Sequence, residues 1–355
     1  MQFSECWWQP VRPAPDGVLV GGAPLPDSGV LDAGALGRID GRALGALARD
    51  YRAHVREGYD PPLAALVCLR TQRLAALRGF FPLLRALDDH QRAEFEQQAA
   101  RAAGALDLRL YEQHWLGPRQ IELPPDVAAL VAGQIVEVFF FRPDLLDRLL
   151  EAPARIWLYV TRAAFQAHGG VGGGCYDPSC GAVRLELARV YEGFYSPRPG
   201  VAPLLHELGH LLDCFDPVRC VHGRATGLYP GMRPGDGVFE TPEARAAFLR
   251  GKRLELERYR RRRDGRAAPG EPLPIGHPYV FQNDGEFLAG YLELFFRSPH
   301  AFAERNPDLH AGYAAWLGQD PRRVWDSDFS FYLDENRRFY LESGKRPWPP
   351  GLTVL

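Results

Sequence analysis

One short stretch constrains this chain more than any other: His206-Glu207-Leu208-Gly209-His210, set among Leu204, Leu205, Leu211 and Leu212. Two histidines four apart lie on one face of a helix, so both imidazoles can reach one ion. The glutamate after the first histidine lies near that ion without having to ligate it. The leucines give the helix an apolar body that must be buried in a core, which a surface coincidence of the same letters would not need. Neutral imidazoles suit Zn²⁺, which accepts a water and lowers its pKa, and Glu207 is then the carboxylate placed to take the proton.

A catalytic zinc needs a third protein ligand and an open position. Three candidates compete. Asp216 lies six residues beyond His210, where metzincin-like enzymes place a ligand, but that arrangement needs a glycine at 213 to turn the chain and this sequence has Asp213. His222 and His277 have only residue type in their favour. Glu286 lies on a helix expected over residues 284–296, with Glu293 two turns further along the same face. A glutamate from a second helix is the gluzincin solution.

Around these residues the chain reads as a globular protein. At 355 residues with 46% hydrophobic and 24% charged content, it can bury a sizeable core. A formal charge of -2 gives no global pull towards nucleic acid or anionic membrane. The first residues lack a basic start and an apolar run, and the greasiest stretch, 127–141, is interrupted by Gln134 and Glu137 and is too short to span a bilayer. A soluble cytoplasmic protein is expected, with no nucleic-acid or membrane partner. Among the six cysteines, neither the Cys175/Cys180 nor the Cys214/Cys220 spacing is that of a zinc knuckle, so small buried thiols in a reducing compartment are expected.

Residues 1–60, rich in Gly, Pro and Ala, read as an extension with little core of its own. Helical spacing follows at Leu63, Leu66, Val67, Leu74 and Leu77, and Asp88-Asp89 opens a helix over 91–103. Pro124-Pro125-Asp126 starts a buried helix through 127–141. Ile156-Trp157-Leu158-Tyr159-Val160 reads as a strand, and 169–174 as a flexible glycine loop without dinucleotide spacing. Residues 182–187 alternate apolar and polar, the pattern of a half-exposed strand. Pro197 and Pro199 precede the histidine helix, expected over 201–213. The basic run 258–263 beside Glu255 and Glu257 reads as a solvated helix end, and Ser298-Pro299 closes the 284–296 helix.

The segment Glu286-Phe287-Leu288-Ala289-Gly290-Tyr291-Leu292-Glu293-Leu294-Phe295-Phe296 closely resembles the second metal helix of the Mlc titration factor A family of zinc-dependent peptidases. The likeness continues through Ser298-Pro299, Phe302-Ala303, Pro307-Asp308-Leu309 and Asp320-Pro321. His206-Glu207-Leu208-Gly209-His210-Leu211-Leu212-Asp213 fits the family's first motif. The catalytic domain of anthrax lethal factor is similar at the same points. The resemblance covers residues 76–325; it is specific at the two helices and loose between them.

That resemblance implies an α+β, zincin-like metallopeptidase fold, mainly helical with a small mixed sheet beside the histidine helix. It implies Zn²⁺ held by His206, His210 and Glu286, with Glu207 as the base. It also implies a catalytic tyrosine seven residues before the third ligand, here Tyr279. Gly290 departs from lethal factor, which like thermolysin carries a carboxylate four residues after that ligand, so orientation of an imidazole would fall to Glu293 or to Asp213. Three parts are expected: an extension packed on the core (1–75), the peptidase domain (76–325) and a C-terminal tail (326–355). Hydrolysis of peptides or proteins, aminopeptidase-like, is the implied activity. The alternative is a regulator-binding protein with little or no peptidase activity, as the family's name suggests, for which the extension and tail offer surface. Residues 182–187 are a candidate edge strand for an extended peptide, and Trp7-Trp8 or Trp348 are candidates to cover the cleft.

Overall fold

A computed structural model of the chain describes residues 11–14, 17–20 and 23–24 and, between 81 and 353, all but 82, 124, 188, 191–201, 325–327, 329 and 343–346. The helical spacing at Leu63–Leu77 and the pair Trp7-Trp8 lie outside the described residues. Strands β1 (Val11–Ala14), β2 (Gly17–Val20) and β3 (Ala23–Pro24) form an antiparallel meander. The chain divides into two compact units. The first takes Met1–Glu137, Ile156–Cys175 and Arg184–Pro199; the second takes Val138–Arg155, Tyr176–Val183 and Gly200–Leu355.

The elements between Leu83 and Glu186 are α1 (Leu83–Ala86), α2 (Asp89–Ala105), β4 (Asp107–His114), β5 (Gly117–Ile121), α3 (Pro125–Phe139), α4 (Pro143–Glu151), β6 (Arg155–Tyr159), α5 (Arg162–Ala167), β7 (Gly174–Asp177) and β8 (Ala182–Glu186). Helix α2 begins where Asp88 predicts: its Oδ1 accepts from Gln91 N at 2.8 Å and Gln91 Oε1 accepts from Asp88 N at 3.2 Å, a reciprocal cap. Helix α3 is buried on nearly every described side chain, and its two polar intruders, Gln134 and Glu137, hydrogen-bond each other. In the first unit Tyr111 of β4 stacks on Tyr159 of β6 at 5.4 Å beside Ala164 and Phe165 of α5; the strands form a small mixed sheet ordered β5-β4-β6-β8-β7. The glycine-rich 169–174 segment connects α5 to β7.

The sheet order corrects one expectation. Strand β8 is paired on both sides, with β6 and β7, so it has no free edge for an added peptide strand. It is not half-exposed either: Ala182, Val183, Leu185 and Glu186 are all buried, with only Arg184 intermediate. Alternating polarity misleads here because Arg184 donates to His168 O at 2.7 Å and lies over the Trp157 ring, so a polar residue serves an interior position.

The second unit continues with α6 (Pro203–Asp213), β9 (Phe215–Asp216), β10 (Val221–His222), α7 (Pro242–Arg263), α8 (Asp284–Arg297), α9 (Pro299–Arg305), α10 (Pro307–Leu317) and α11 (Ser330–Glu342), with a 3₁₀ turn at Pro278–Phe281. Its core is aromatic. Tyr229 stacks on Trp316 at 4.0 Å, and Tyr313, Phe248, Phe287 and Phe295 pack around them. The hydroxyls of Tyr229 and Tyr313 both donate to Leu288 O, at 2.6 and 3.1 Å, which fixes the middle of α8. The basic run at the end of α7 is not a free solvated end. Arg258 meets Glu255 and Arg305 O, Arg261 meets Glu271, Arg262 donates to Tyr340 O, and Arg263 pairs with Asp264. Of Cys175, Cys180, Cys214 and Cys220, only Cys214 is buried, and the other three are half-buried. Among the described residues, no helix is long and apolar enough to cross a membrane.

Candidate metal centre

Two helices of the second unit build the site. Pro203 at the first turn starts α6, where its missing N–H costs nothing. The leucines face inward, and His206 and His210 share the remaining face, their rings 5.0 Å apart. Helix α8 starts at Asn283, whose side chain accepts from Glu286 N at 2.9 Å. Asn283-Asp284-Gly285-Glu286 has the spacing of a reciprocal N-cap, but the Glu286 carboxylate instead meets the histidines and Tyr279. The two helices touch at Gly209, where a Cβ would stand 2.6 Å from Ala289 Cα. Only a bare Cα allows that approach, and it brings Glu286 across to the histidine face.

Glu286 Oε2 lies 3.2 Å from His206 Nε2 and 3.5 Å from His210 Nε2. One ligand atom from each of the three residues falls within 4.8 Å of the others, and among the described residues this is the one group of that kind. The donor set fits a metal: two imidazoles and a carboxylate, with room for a further ligand. Glu207 supports that fit, since it is 7% exposed and its Oε2 is buried without a hydrogen-bond partner. Such an orphaned carboxylate oxygen calls for a reason, and a site for a water or substrate supplies one.

The electrostatics follow from packing these groups without an ion. Burial opposes the charge on His206, but Glu286 and Glu293 outweigh it and raise its pKa to about 10. Glu286 is likewise pushed up by burial, yet the hydrogen bonds of His206 and His210 prevail and hold it well below the usual carboxylate range. Burial pushes the Glu207 carboxyl up, countered in part by the two histidines. Burial, and then the charge of Glu286, raise the Tyr279 phenol, so it remains a donor; its hydroxyl donates a hydrogen bond to Glu286 Oε1 at 2.9 Å.

Glu293 lies 3.7 Å from His206 Nδ1 and also accepts from Ala202 N, so it reaches both the imidazole and the start of the helix that carries it. Position 290 has no room for a carboxylate, because a Cβ there would overlap the Val280 side chain. Asp213 closes the same helix as the histidines. Its Oδ1 accepts from Thr226 N and Gly227 N at 2.9 and 2.7 Å and so folds back the chain after α6. Its Oδ2 is buried without a partner and, with His210 Nδ1, faces Gly285, at 3.6 and 3.2 Å from where a Cβ would stand.

The other candidate ligands are engaged elsewhere. Asp216 Oδ1 accepts from Val218 N and Arg219 N, both at 3.0 Å. His222 Nε2 lies 3.2 Å from Ala152 O, and His277 Nδ1 accepts from Tyr279 N at 3.1 Å. Sequence reasoning passed over Asn283 and the Gly209–Ala289 contact. The Asn-x-x-Glu spacing is a legible sign of the first; the second depends on two residues 80 apart and has no local sign. No protein-family model and no curated protein matches the chain.

Proposed function

We propose that this chain is a zinc-dependent metallopeptidase of the gluzincin type, akin to the Mlc titration factor A family, with an aminopeptidase-like preference. The observation that carries the reading is the meeting of Glu286 with His206 and His210 beside a buried, unpartnered Glu207 oxygen. When bound, zinc would supply a Lewis acid that polarises a peptide carbonyl and acidifies water.

The chain's own residues do the rest. His206, His210 and Glu286 would hold the ion, and Glu293 would keep the His206 ring in place through Nδ1. Glu207 takes a proton from the attacking water as its oxygen bonds to the carbonyl carbon, and returns that proton to the amine as the C–N bond breaks. Tyr279, 44% exposed, turns its hydroxyl from Glu286 to the oxyanion developing on the carbonyl oxygen.

The test is to load the purified protein with zinc and offer it matched peptides with free and blocked amino termini. Chelator-sensitive cleavage favouring the free terminus is expected. Equal cleavage of both would replace the aminopeptidase preference with endopeptidase action. No cleavage of either by zinc-loaded protein would leave a regulator-binding protein on a metallopeptidase scaffold as the better account.

A further inference from the structure

Tyr279 stands on a short turn with few bonds of its own. A 3₁₀ segment of only four residues, Pro278–Phe281, holds itself with two backbone bonds, Val280 N to His277 O at 3.0 Å and Gln282 N to Tyr279 O at 3.1 Å, and has no length to add more. Beyond its packing on α8 and α7, a set of further bonds comes from the last part of the chain. Asn336 Nδ2 donates to Ile275 O at 2.8 Å and the Tyr340 hydroxyl donates to Gly276 O at 2.9 Å, both from α11. Past the helix, Gly351 N donates to Phe281 O at 3.0 Å and Thr353 N donates to Asp284 Oδ1 at 3.0 Å. Tyr259 ties the same region together, its ring stacked on Phe281 at 4.1 Å and its hydroxyl donating to Trp348 O at 2.9 Å. The contact at 351 is as close as a chain can make: a Cβ there would overlap the Gln282 carbonyl oxygen.

We infer that Asn336 and Tyr340 of α11, together with residues 348–353, form a positioning clamp for the active site, with Gly351 its tightest point, and that it acts by setting where Tyr279 stands relative to Glu286. The groups it grips, at 275, 276, 281 and 284, bracket Tyr279 on both sides and end two residues before Glu286. Because three of those four bonds go to backbone carbonyls, and none to Tyr279 itself, the clamp fixes the path of the turn and leaves the Tyr279 ring free to swing its hydroxyl. Gly351 is therefore a positioning residue, and only Tyr279 meets the substrate. The catalytic part of this inference rests on the metallopeptidase reading; the mechanical part does not.

The test uses the full chain carrying Gly351→Ala, which forces the two backbones apart, and Tyr340→Phe, which removes one hydroxyl and little volume. Amide hydrogen exchange reads the clamp without any assay of activity. In Gly351→Ala, protection at residues 279–283 is expected to fall at least about tenfold while 203–213 keeps its protection. Tyr340→Phe should show a smaller loss in the same segment, and it serves if the glycine variant does not fold. Unchanged protection at 279–283 in a folded variant would overturn the clamp. Hydrolysis then reads the coupling: Gly351→Ala should lower kcat about tenfold with KM within about twofold, and should have no further effect when combined with Tyr279→Phe. A kcat loss equally large with and without the Tyr279 hydroxyl would overturn the action through Tyr279. If the wild-type chain cleaves nothing, the metallopeptidase reading fails and the exchange result still decides the clamp.

Discussion

His206 faces a carboxylate at each ring nitrogen, Glu286 at Nε2 and Glu293 at Nδ1. A carboxylate on the far nitrogen fixes the tautomer and makes the imidazole a better ligand. Glu293→Gln is accordingly expected to weaken zinc binding about 10–100-fold, measured by competition with a chromophoric chelator; an affinity within twofold of the wild type would contradict that role. The same environment sets a proton linkage. The metal-free protein holds His206 protonated up to about pH 10, whereas a metal ligand must be neutral. Zinc loading at pH 7.5 should therefore release close to one proton, and apparent affinity should rise with pH up to about 10. Calorimetry in buffers of different ionisation enthalpy gives that proton count, and a count of zero would contradict it. At this scale the sequence was most legible where chemistry is local: His206, Glu207 and His210 declare themselves within five residues. Glu286 did not, because nothing near it in the chain distinguishes it from Glu293, and only the resemblance to a known second helix separated the two.

Between elements, the site depends on how closely α6 and α8 approach. Gly209 against Ala289 leaves no space for a methyl group. Gly209→Ala would have to displace α8, at a cost of about 1–3 kcal/mol for overpacking. The expected result is a lower Tm together with weaker zinc binding, since Glu286 moves away with its helix. A variant with native zinc affinity would show that the helices are not held apart by the methyl. The sequence predicted both helices closely, ending α6 at Asp213 and placing α8 within a residue of Asp284–Arg297, because caps and apolar periodicity are local signals. It failed at β8, where alternation suggested an exposed edge. Arg184 is half-buried over Trp157 and Glu186 is buried, in a strand that pairs with β6 and β7 on its two sides.

Across the second unit, the site is held by contacts far apart in sequence, which is why the part played by Asn336, Tyr340 and residues 348–353 could not be read from the chain: Asn336 meets Ile275 and Thr353 meets Asp284. A second long-range feature sets how the unit responds to acid. His310 is 3% exposed, packed against Phe295 and Phe302, and burial lowers its pKa to about 4 even though Asp320 lies 3.6 Å away. A folded-state pKa below the unfolded value of about 6.5 means that the folded form binds fewer protons. Its contribution is complete above about pH 6.5 and is lost as pH falls towards 4, up to about 3 kcal/mol in all. Denaturant midpoints at pH 7 and pH 5 should differ accordingly, and His310→Gln should reduce the difference. The central claim concerns the metal centre, and Glu207→Gln tests it most directly because it removes the base while leaving the three ligands. Zinc content and peptide turnover measured on the same preparation should show one zinc per chain retained and turnover reduced at least about a hundredfold; retained zinc with undiminished turnover would contradict the account.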